Sequence, residues 1–222
     1  MNRLMKCIIN KRGIEMDLLV IRHGQSEADI LNVIEGRADF NLTELGQQQA
    51  DLMAEWVNGY MKIDKIFSSS LKRAKQTAEK LSIATNVPVV LIDDLMEWRN
   101  GLIAGLSHNE ANEKYPLPKV KHPHTAVYEQ ESDIEFRTRA ETALSKIINE
   151  NPPDSKIVIV SHGGMINRLF QSFLMLPTIS GIGIASGDTG IHHWKINGDN
   201  PYARSVIFAN SLVHLNKLKE EK

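Results

Sequence analysis

Hydrophobic positions along this chain follow two patterns, and the two patterns alternate. Short continuous runs at residues 18–21 and 156–160 have the length and the β-branched content of buried strands, the first of them buried on both faces. A further run at residues 89–92 is also strand-like. Within residues 44–57, leucine, methionine and tryptophan recur at helical spacing, which predicts a helix that faces the core. Alternation of this kind predicts an α/β sandwich, with helices on both faces of a mainly parallel sheet.

Capping signals and turn signals mark further elements. Thr43 is the predicted N-cap of the first long helix, because its hydroxyl can accept a hydrogen bond from the first helical turn. The capping-box pattern Ser-x-x-Glu predicts helices over residues 107–115 and 132–149. Near the C-terminus, residues 189–196 and 203–209 have the composition of two strands.

Histidine, arginine and acidic residues occur where the predicted strands end. Arg22-His23-Gly24 follows the first run, and Ser161-His162-Gly163-Gly164 follows the run that ends at residue 160. Between them, a short strand leads through three serines into a helix whose first turn carries Arg73, and Glu97 follows the run at 89–92. Ligands of α/β folds bind beyond the carboxyl ends of the strands, and a helix N-terminus favours an anion. Two histidines, two arginines and an acid at one edge of the sheet predict a site that binds a phosphate and attacks it.

Five dispersed motifs carry a resemblance to a known family. In chain order they are residues 19–27, residues 36–43 with Gly46, residues 69–78, residues 95–97 with Gly101, and residues 161–164. With these motifs in this order, the chain resembles the histidine phosphatase superfamily, in its phosphoglycerate mutase-like group, over about residues 17–215. The resemblance implies a three-layer α/β/α sandwich whose mainly parallel sheet contains one antiparallel strand.

The resemblance also implies a role for each candidate residue. His23 would be the nucleophile, forming a phosphohistidine that water later hydrolyses, with its other ring nitrogen held by a backbone carbonyl. Arg22, Arg73 and His162 would bind the phosphoryl oxygens, where charge develops during the transfer. Glu97 would be the general acid that protonates the leaving group and then helps to deprotonate water.

Two aspartates compete with Glu97 for the acid role. Asp93 and Asp94 lie closer to the strand and lack the Glu-x-x-x-Gly spacing that Glu97 and Gly101 satisfy. We therefore predict that both aspartates belong to an exposed turn.

Asp29 departs from the family pattern. Many relatives have an asparagine seven residues after the motif arginine, whereas an ionised aspartate can only accept hydrogen bonds and would repel a phosphate. Either Asp29 turns toward Arg37 or another cation, or the pocket binds its ligand through different donors. Asp29 is therefore left out of the predicted binding set.

Composition excludes several classes of partner. The 222 residues carry a net charge of −1, which offers no basic field for nucleic acid. No long apolar segment occurs, so we expect no membrane partner. A single cysteine, Cys7, rules out an intrachain disulfide and fits a reducing compartment, which predicts a cytoplasmic protein.

The chain length suits one domain or at most two. Residues 1–16 form an N-terminal extension that is too short and too interrupted for a signal peptide, and its role stays open. Residues 17–222 form the predicted domain. Within it, an insertion at about residues 101–130 would act as a lid over the phosphate pocket and contribute most of the substrate choice.

Neither of the two remaining histidine pairs has the spacing of a metal site. His122 with His124, and His192 with His193, lack a nearby cysteine or a recurring partner, so we expect exposed or structural roles. The mechanism requires no metal and no other cofactor.

The favoured hypothesis is a metal-independent phosphomonoesterase that hydrolyses a small phosphorylated metabolite through a phosphohistidine. One alternative is a phosphoglycerate mutase, although mutases of the family carry a longer segment than the roughly 65 residues that separate Glu97 from His162 here. The other is a regulatory protein that binds a phosphorylated ligand without catalysis. The particular phosphoester and the oligomeric state stay open.

Overall fold

The computed structural model describes residues 14–197 and 200–220, and its strands form a single sheet. The strands are β1 (Glu15–Arg22), β2 (Lys65–Ser68), β3 (Val89–Leu91), β4 (Lys156–Ser161), β5 (Ile191–Asn197) and β6 (Asn200–Ser211). Their order across the sheet is β3-β2-β4-β1-β5-β6. Among these described strands, β5 alone runs against its neighbours β1 and β6, whereas the other pairs are parallel. The predicted mainly parallel sheet with one antiparallel strand is confirmed.

The helices of the described residues lie between and after these strands. They are α1 (Glu27–Leu31), α2 (Glu44–Tyr60), α3 (Lys72–Thr85), α4 (His108–Lys114), α5 (Asp133–Asn149), α6 (Gly163–Phe173) and α7 (Lys217–Glu220). Short 3₁₀ segments occur at Asp93–Leu95, Gly101–Ile103 and Val213–Asn216.

The predicted caps are confirmed. Thr43 accepts a hydrogen bond of 3.0 Å from the amide of Gly46, and α2 continues to Tyr60, three residues beyond the predicted end at 57. Ser107 and Ser132 both form complete capping boxes at the starts of α4 and α5. The strand β1 begins at Glu15, two residues inside the segment predicted as an extension, and residues 1–13 of that segment lie outside the described residues.

Both faces of the sheet are covered, and β1 shows why. Its side chains alternate, so Leu18 and Val20 join a buried cluster with α5 and α6, whereas Leu19 and Ile21 join a second cluster with α2 and α3. All four side chains are fully buried. Truncation of such a side chain to alanine costs about 2–5 kcal/mol, so β1 is held firmly between the two helix layers.

The strand register brings the ends of the central strands to one edge. Arg22 at the end of β1 pairs with Ser161 at the end of β4, and Ser68 at the end of β2 pairs with Val160. The residues that follow these strands therefore emerge side by side, as expected for parallel neighbours.

The loop after β1 lies very close to the start of α2. A Cβ atom on Gly24 would lie 2.6 Å from the carbonyl oxygen of Gly46, and one on Gly46 would lie 2.0 Å from that of Gln25. Only glycine fits at both positions, so this contact fixes the direction in which the chain leaves β1.

Candidate active site

Two histidines face each other at the carboxyl edge of the sheet. His23 follows β1 and His162 follows β4, and their ring centroids are 5.1 Å apart. Both side chains are buried. The recurrence of His-Gly after two strands thus marks two residues that the fold brings into contact.

Hydrogen bonds determine the tautomer of His23. Its Nδ1 lies 2.7 Å from the carbonyl oxygen of Gly24, and since a carbonyl only accepts, Nδ1 carries the hydrogen. The Nε2 atom then has a free lone pair, and the Nε of Arg73 donates to it at 3.2 Å. Burial lowers the pKa of His23 well below its usual value, and the charges of Arg73 and Arg22 lower it further. The imidazole is therefore neutral and available as a nucleophile.

Arg73 is fully buried at the first turn of α3. Its two terminal nitrogens donate to the carbonyl oxygens of Ala38 at 3.0 Å and Gly36 at 2.9 Å. These bonds to the 36–38 loop orient the guanidinium so that Nε faces the ring of His23.

Arg22 lies beside His23 but is partly exposed, with 23% of its side-chain surface accessible. Its Nη1 donates to the carbonyl oxygen of Ser186 at 2.9 Å and lies 3.4 Å from Asp188. Its Nη2 lies 3.8 Å from Asp29. Asp29 thus turns toward a cation, the first of the two possibilities raised by the sequence, and that cation is Arg22. Asp29 also accepts a hydrogen bond of 2.8 Å from the amide of Ser26, within the capping box of α1.

His162 has one ring nitrogen engaged. Its Nε2 lies 2.8 Å from the hydroxyl of Ser69, whereas Nδ1 is buried without a partner among the described residues. Burial lowers the pKa of His162 well below its usual value, with further lowering by Arg73 and His23. The hydroxyl of Ser69 also accepts from the amide of Leu71 at 3.3 Å, which holds it against the ring of His162.

The carboxylate of Glu97 caps the N-terminus of α6. Its two oxygens accept hydrogen bonds of 2.8 Å from the amides of Trp98 and Gly164. A Cβ atom on Gly164 would lie 2.4 Å from a carboxylate oxygen of Glu97, so glycine is required for this approach. The competing Asp93 is exposed and accepts from the hydroxyl of Ser70.

A buried ion pair that the sequence did not reveal holds the segment of Glu97. Arg139, in the middle of α5, lies 2.6 Å from Glu131 and donates to the carbonyl oxygens of Asp94, Met96 and Glu97. The same Glu131 accepts from the amide of Arg99 at 2.6 Å. No spacing signal connects α5 to a loop about 40 residues earlier, so this support becomes visible only in the folded chain.

Glu35 is a second carboxyl group at the site and was also missed. Its Oε2 lies 3.4 Å from the Nε of Arg73 and 3.7 Å from the Nε2 of His23. Burial raises the pKa of this carboxyl. The available signal was its position directly before Gly36, the first residue of the second motif.

A cavity of about 480 Å³ opens beside these groups. Its lining includes Glu35, Glu97, Trp98 and Arg168, together with residues 180–183. The 180–183 segment is irregular, and two side chains of α6, Asn167 and Gln171, hold it by hydrogen bonds to its backbone and to the adjacent amide of Ile184. The lid role of residues 101–130 stays a prediction.

The other histidines have the roles that the sequence predicted for them. His122 and His124 are exposed. His192 and His193 are buried and structural: His192 bonds to Ser186 at 2.7 Å, and His193 bonds to Asp17 at 2.7 Å. Within residues 14–197 and 200–220, no cluster of three or more histidine, cysteine or acidic side chains is arranged to hold a metal ion. Over the same residues, no helix combines the length and the hydropathy needed to cross a bilayer.

Comparison with known proteins places this site in a family. The model of the histidine phosphatase superfamily, branch 1, matches residues 18–207. The chain is 30% identical over 197 residues to a glucosyl-3-phosphoglycerate phosphatase from Mycobacterium tuberculosis, covering 82% of this chain and 88% of that protein. It is 27% identical over 165 residues to a metal-independent phosphoserine phosphatase from Arabidopsis thaliana, covering 69% of this chain and 67% of that protein.

A solved structure leads to the same family. The native structure of a mycobacterial glucosyl-3-phosphoglycerate phosphatase superposes with a TM-score of 0.75 at 26% identity, covering 89% of this chain and 99% of that one. The protein therefore belongs to the histidine phosphatase superfamily, branch 1, and is a phosphatase of that superfamily.

Proposed function

We propose that the protein is a phosphomonoesterase that hydrolyses a small phosphorylated metabolite through a phosphohistidine on His23. The observation that carries this proposal is the tautomer of His23. Its Nδ1 hydrogen is held by the carbonyl of Gly24, and its Nε2 lone pair faces Arg73 inside a buried site.

In the first step, the Nε2 atom of His23 attacks phosphorus, and the ester bond between phosphorus and the leaving oxygen breaks. Arg22, Arg73 and His162 donate to the phosphoryl oxygens. Two opposite charges about 4 Å apart interact by roughly 4 kcal/mol at an effective dielectric of 20, so the two arginines offset much of the hydration that the phosphate loses. Glu97, in its protonated form, donates its proton to the departing alkoxide.

In the second step, water attacks the phosphohistidine. Glu97, now a carboxylate, accepts a proton from that water, the bond between Nε2 and phosphorus breaks, and orthophosphate leaves. His23 returns to its starting tautomer because the carbonyl of Gly24 still holds the Nδ1 hydrogen.

Two considerations support hydrolysis over transfer to a second substrate. The relatives described above are phosphatases that act on different phosphoesters, glucosyl-3-phosphoglycerate and phosphoserine. The segment between Glu97 and His162 is short, which favours access of water to the intermediate.

The size of the cavity supports a small substrate. A cavity of about 480 Å³ fits a metabolite-sized leaving group.

The test is a phosphatase screen across metabolite phosphates, with His23→Ala as the inactive variant and the exposed His122→Ala as its matched control. We expect the wild type and His122→Ala to release orthophosphate and His23→Ala to release none. A rapid quench should place the phosphoryl label on the peptide that contains His23.

Addition of a chelator should leave the rate unchanged. Interconversion of 3- and 2-phosphoglycerate stimulated by bisphosphoglycerate would instead establish a mutase. Equal phosphate release by the wild type and His23→Ala would exclude the phosphohistidine.

A further inference from the structure

The carboxyl group of Glu35 reaches into the space where an oxyanion must bind. Its Oε2 lies within 4 Å of both the nucleophilic Nε2 of His23 and the Nε of Arg73, at 3.7 and 3.4 Å. An anion that accepts from Arg73 and stands opposite His23 therefore lies beside this carboxyl. Only 18% of the Glu35 side chain is exposed, so little water is present to screen the two groups from each other.

The hydroxyl of Ser26 lies between two carboxyl groups, those of Asp29 and Glu35. The hydroxyl of Ser26 contacts Asp29 Oδ2 at 3.1 Å and also contacts Glu35 Oε1, yet a serine has a single hydrogen to donate. Asp29 also accepts from the amide of Ser26 and faces Arg22. When Glu35 is ionised, the single hydrogen of Ser26 serves one carboxyl group at a time. A proton gained by Glu35 can be donated to Ser26, and both contacts then become hydrogen bonds.

Charged and titratable groups approach Glu35 from several elements. They are Arg22 and His23 after β1, Asp29 on α1, Arg73 on α3, and Glu97 and Arg168 around the shared cavity. Burial raises the pKa of Glu35 and Asp29 raises it further, whereas Arg73, Ser26 and Arg22 lower it. An arriving dianion adds negative charge and engages the arginines, so it removes the interactions that favour an ionised Glu35.

We propose that Glu35 takes up a proton when an oxyanion binds beside His23, so that the site binds the phosphoryl dianion together with one proton. This inference rests on the proposed function, because it uses the same anion position. It makes Glu35 the residue that couples affinity for the phosphoryl group to pH. Between the pKa of Glu35 in the free protein and its higher pKa in the complex, affinity should fall tenfold for each pH unit.

Asp188 is the carboxyl group that could otherwise take up this proton. It lies 3.4 Å from Nη1 of Arg22, and burial raises its pKa as well. Both carboxyl groups lie 3.4 Å from an arginine, but of the two it is Glu35 that also lies within 4 Å of the nucleophilic nitrogen of His23. Asp188→Asn is therefore the matched control for Glu35→Gln.

The experiment is titration calorimetry of the full chain with sulfate at about pH 7.5, in two buffers that differ in ionisation enthalpy. Sulfate is a dianion at this pH, both free and when bound, so any proton taken up on binding must go to the protein. We expect an uptake of about one proton per sulfate in the wild type, close to none in Glu35→Gln, and about one in Asp188→Asn. Sulfate should compete with substrate in each active protein.

The wild-type measurement alone can overturn the inference, whether or not the variants fold. Sulfate binding without proton uptake, in an enzyme that hydrolyses phosphoesters and loses activity in His23→Ala, removes the role of Glu35 and leaves the proposed function intact. Uptake that persists in Glu35→Gln and disappears in Asp188→Asn assigns the proton to Asp188 and also overturns it. Equal phosphate release by the wild type and His23→Ala overturns the proposed function, and the inference with it.

Discussion

The reactivity of single residues at this site depends on what each nitrogen and oxygen already bonds. One ring nitrogen of His23 bonds to a carbonyl and the other accepts from an arginine. These bonds favour the neutral ring and fix its orientation. Glu97 has both oxygens on backbone amides, which orients its carboxyl group. The hydrogen bonds of His23 and Glu97 to the backbone therefore fix the orientation of these side chains.

Replacement of Glu97 by glutamine should reduce kcat by about 10²–10⁴-fold with an alkyl phosphate, because the alkoxide then leaves without a proton. With p-nitrophenyl phosphate the loss should be much smaller, since that leaving group is stable as an anion. Steady-state kinetics on both substrates measures the difference. The exposed Glu110→Gln serves as control, and an equal loss on both substrates would contradict the role of Glu97 as general acid.

At the scale of elements, the site depends on helix ends and on the loops that they hold. The N-terminus of α6 binds the carboxylate of Glu97. Helix α5 supplies Arg139, which donates to the backbone carbonyl of the same Glu97. Both helices pack on the same face of the sheet. A change at either helix should therefore alter catalysis through the position of Glu97.

Two adjacent glycines at the start of α6 allow a matched test. A methyl group on Gly164 would lie 2.4 Å from Glu97, whereas one on Gly163 meets no atom within 4 Å. Gly164→Ala should displace the carboxylate and lower kcat by about 10²-fold, while Gly163→Ala should keep near wild-type activity. Kinetics and thermal melting of both variants provide the comparison. Similar losses in the two variants would show that helix geometry, not contact with Glu97, is responsible.

Replacement of Arg139 by methionine should lower the free energy of unfolding by up to about 3–5 kcal/mol, because Glu131 would remain buried with only the more distant Arg37, at 3.9 Å, as a cationic partner. It should also lower kcat, since the carbonyls of Asp94, Met96 and Glu97 lose their donor. Urea denaturation and kinetics measure the two effects separately.

A double variant, Arg139→Met with Glu131→Met, tests whether Arg139 positions the loop. Removal of both charges should restore part of the stability but not the activity. Recovery of both properties together would reduce Arg139 to a purely structural role.

At the scale of the whole molecule, burial of several histidines links stability to pH. Burial lowers the pKa of His23 and His162 well below its usual value, and lowers the pKa of His192 and His214 to about 4. The folded chain keeps these rings neutral, whereas in the unfolded chain they bind protons below about pH 6.5. Stability from this source is therefore complete above that pH and is lost as the pH falls below it.

Urea denaturation between pH 7 and pH 5 should show a decreasing free energy of unfolding, by up to about 1.4 kcal/mol per pH unit for each such histidine. His214→Gln should reduce the slope of the free energy of unfolding against pH by the contribution of one histidine. The exposed His122→Gln should leave that slope unchanged. A wild-type slope of zero over this range would contradict the prediction.

Much of the fold could be predicted because its signals are local. Continuous apolar runs marked β1, β3 and β4, and hydroxyl caps marked α2, α4 and α5, since both patterns depend on residues a few positions apart. The short helix α1 was not predicted, because its few residues show no apolar periodicity. The positions of His23 and His162 followed from strand ends, which in a parallel sheet share one edge.

The sequence alone therefore determined the layered α/β fold, the family and the histidine, arginine and acid set, because periodicity, caps and motifs are written in neighbouring residues. Three contacts became visible only in the folded chain: Glu35 lies against His23, Asp29 faces Arg22, and Arg139 binds the loop of Glu97. These contacts join segments that no sequence motif or spacing links to each other. Which group a buried carboxyl meets depends on how the loops pack, and that packing is settled only when the whole core has formed.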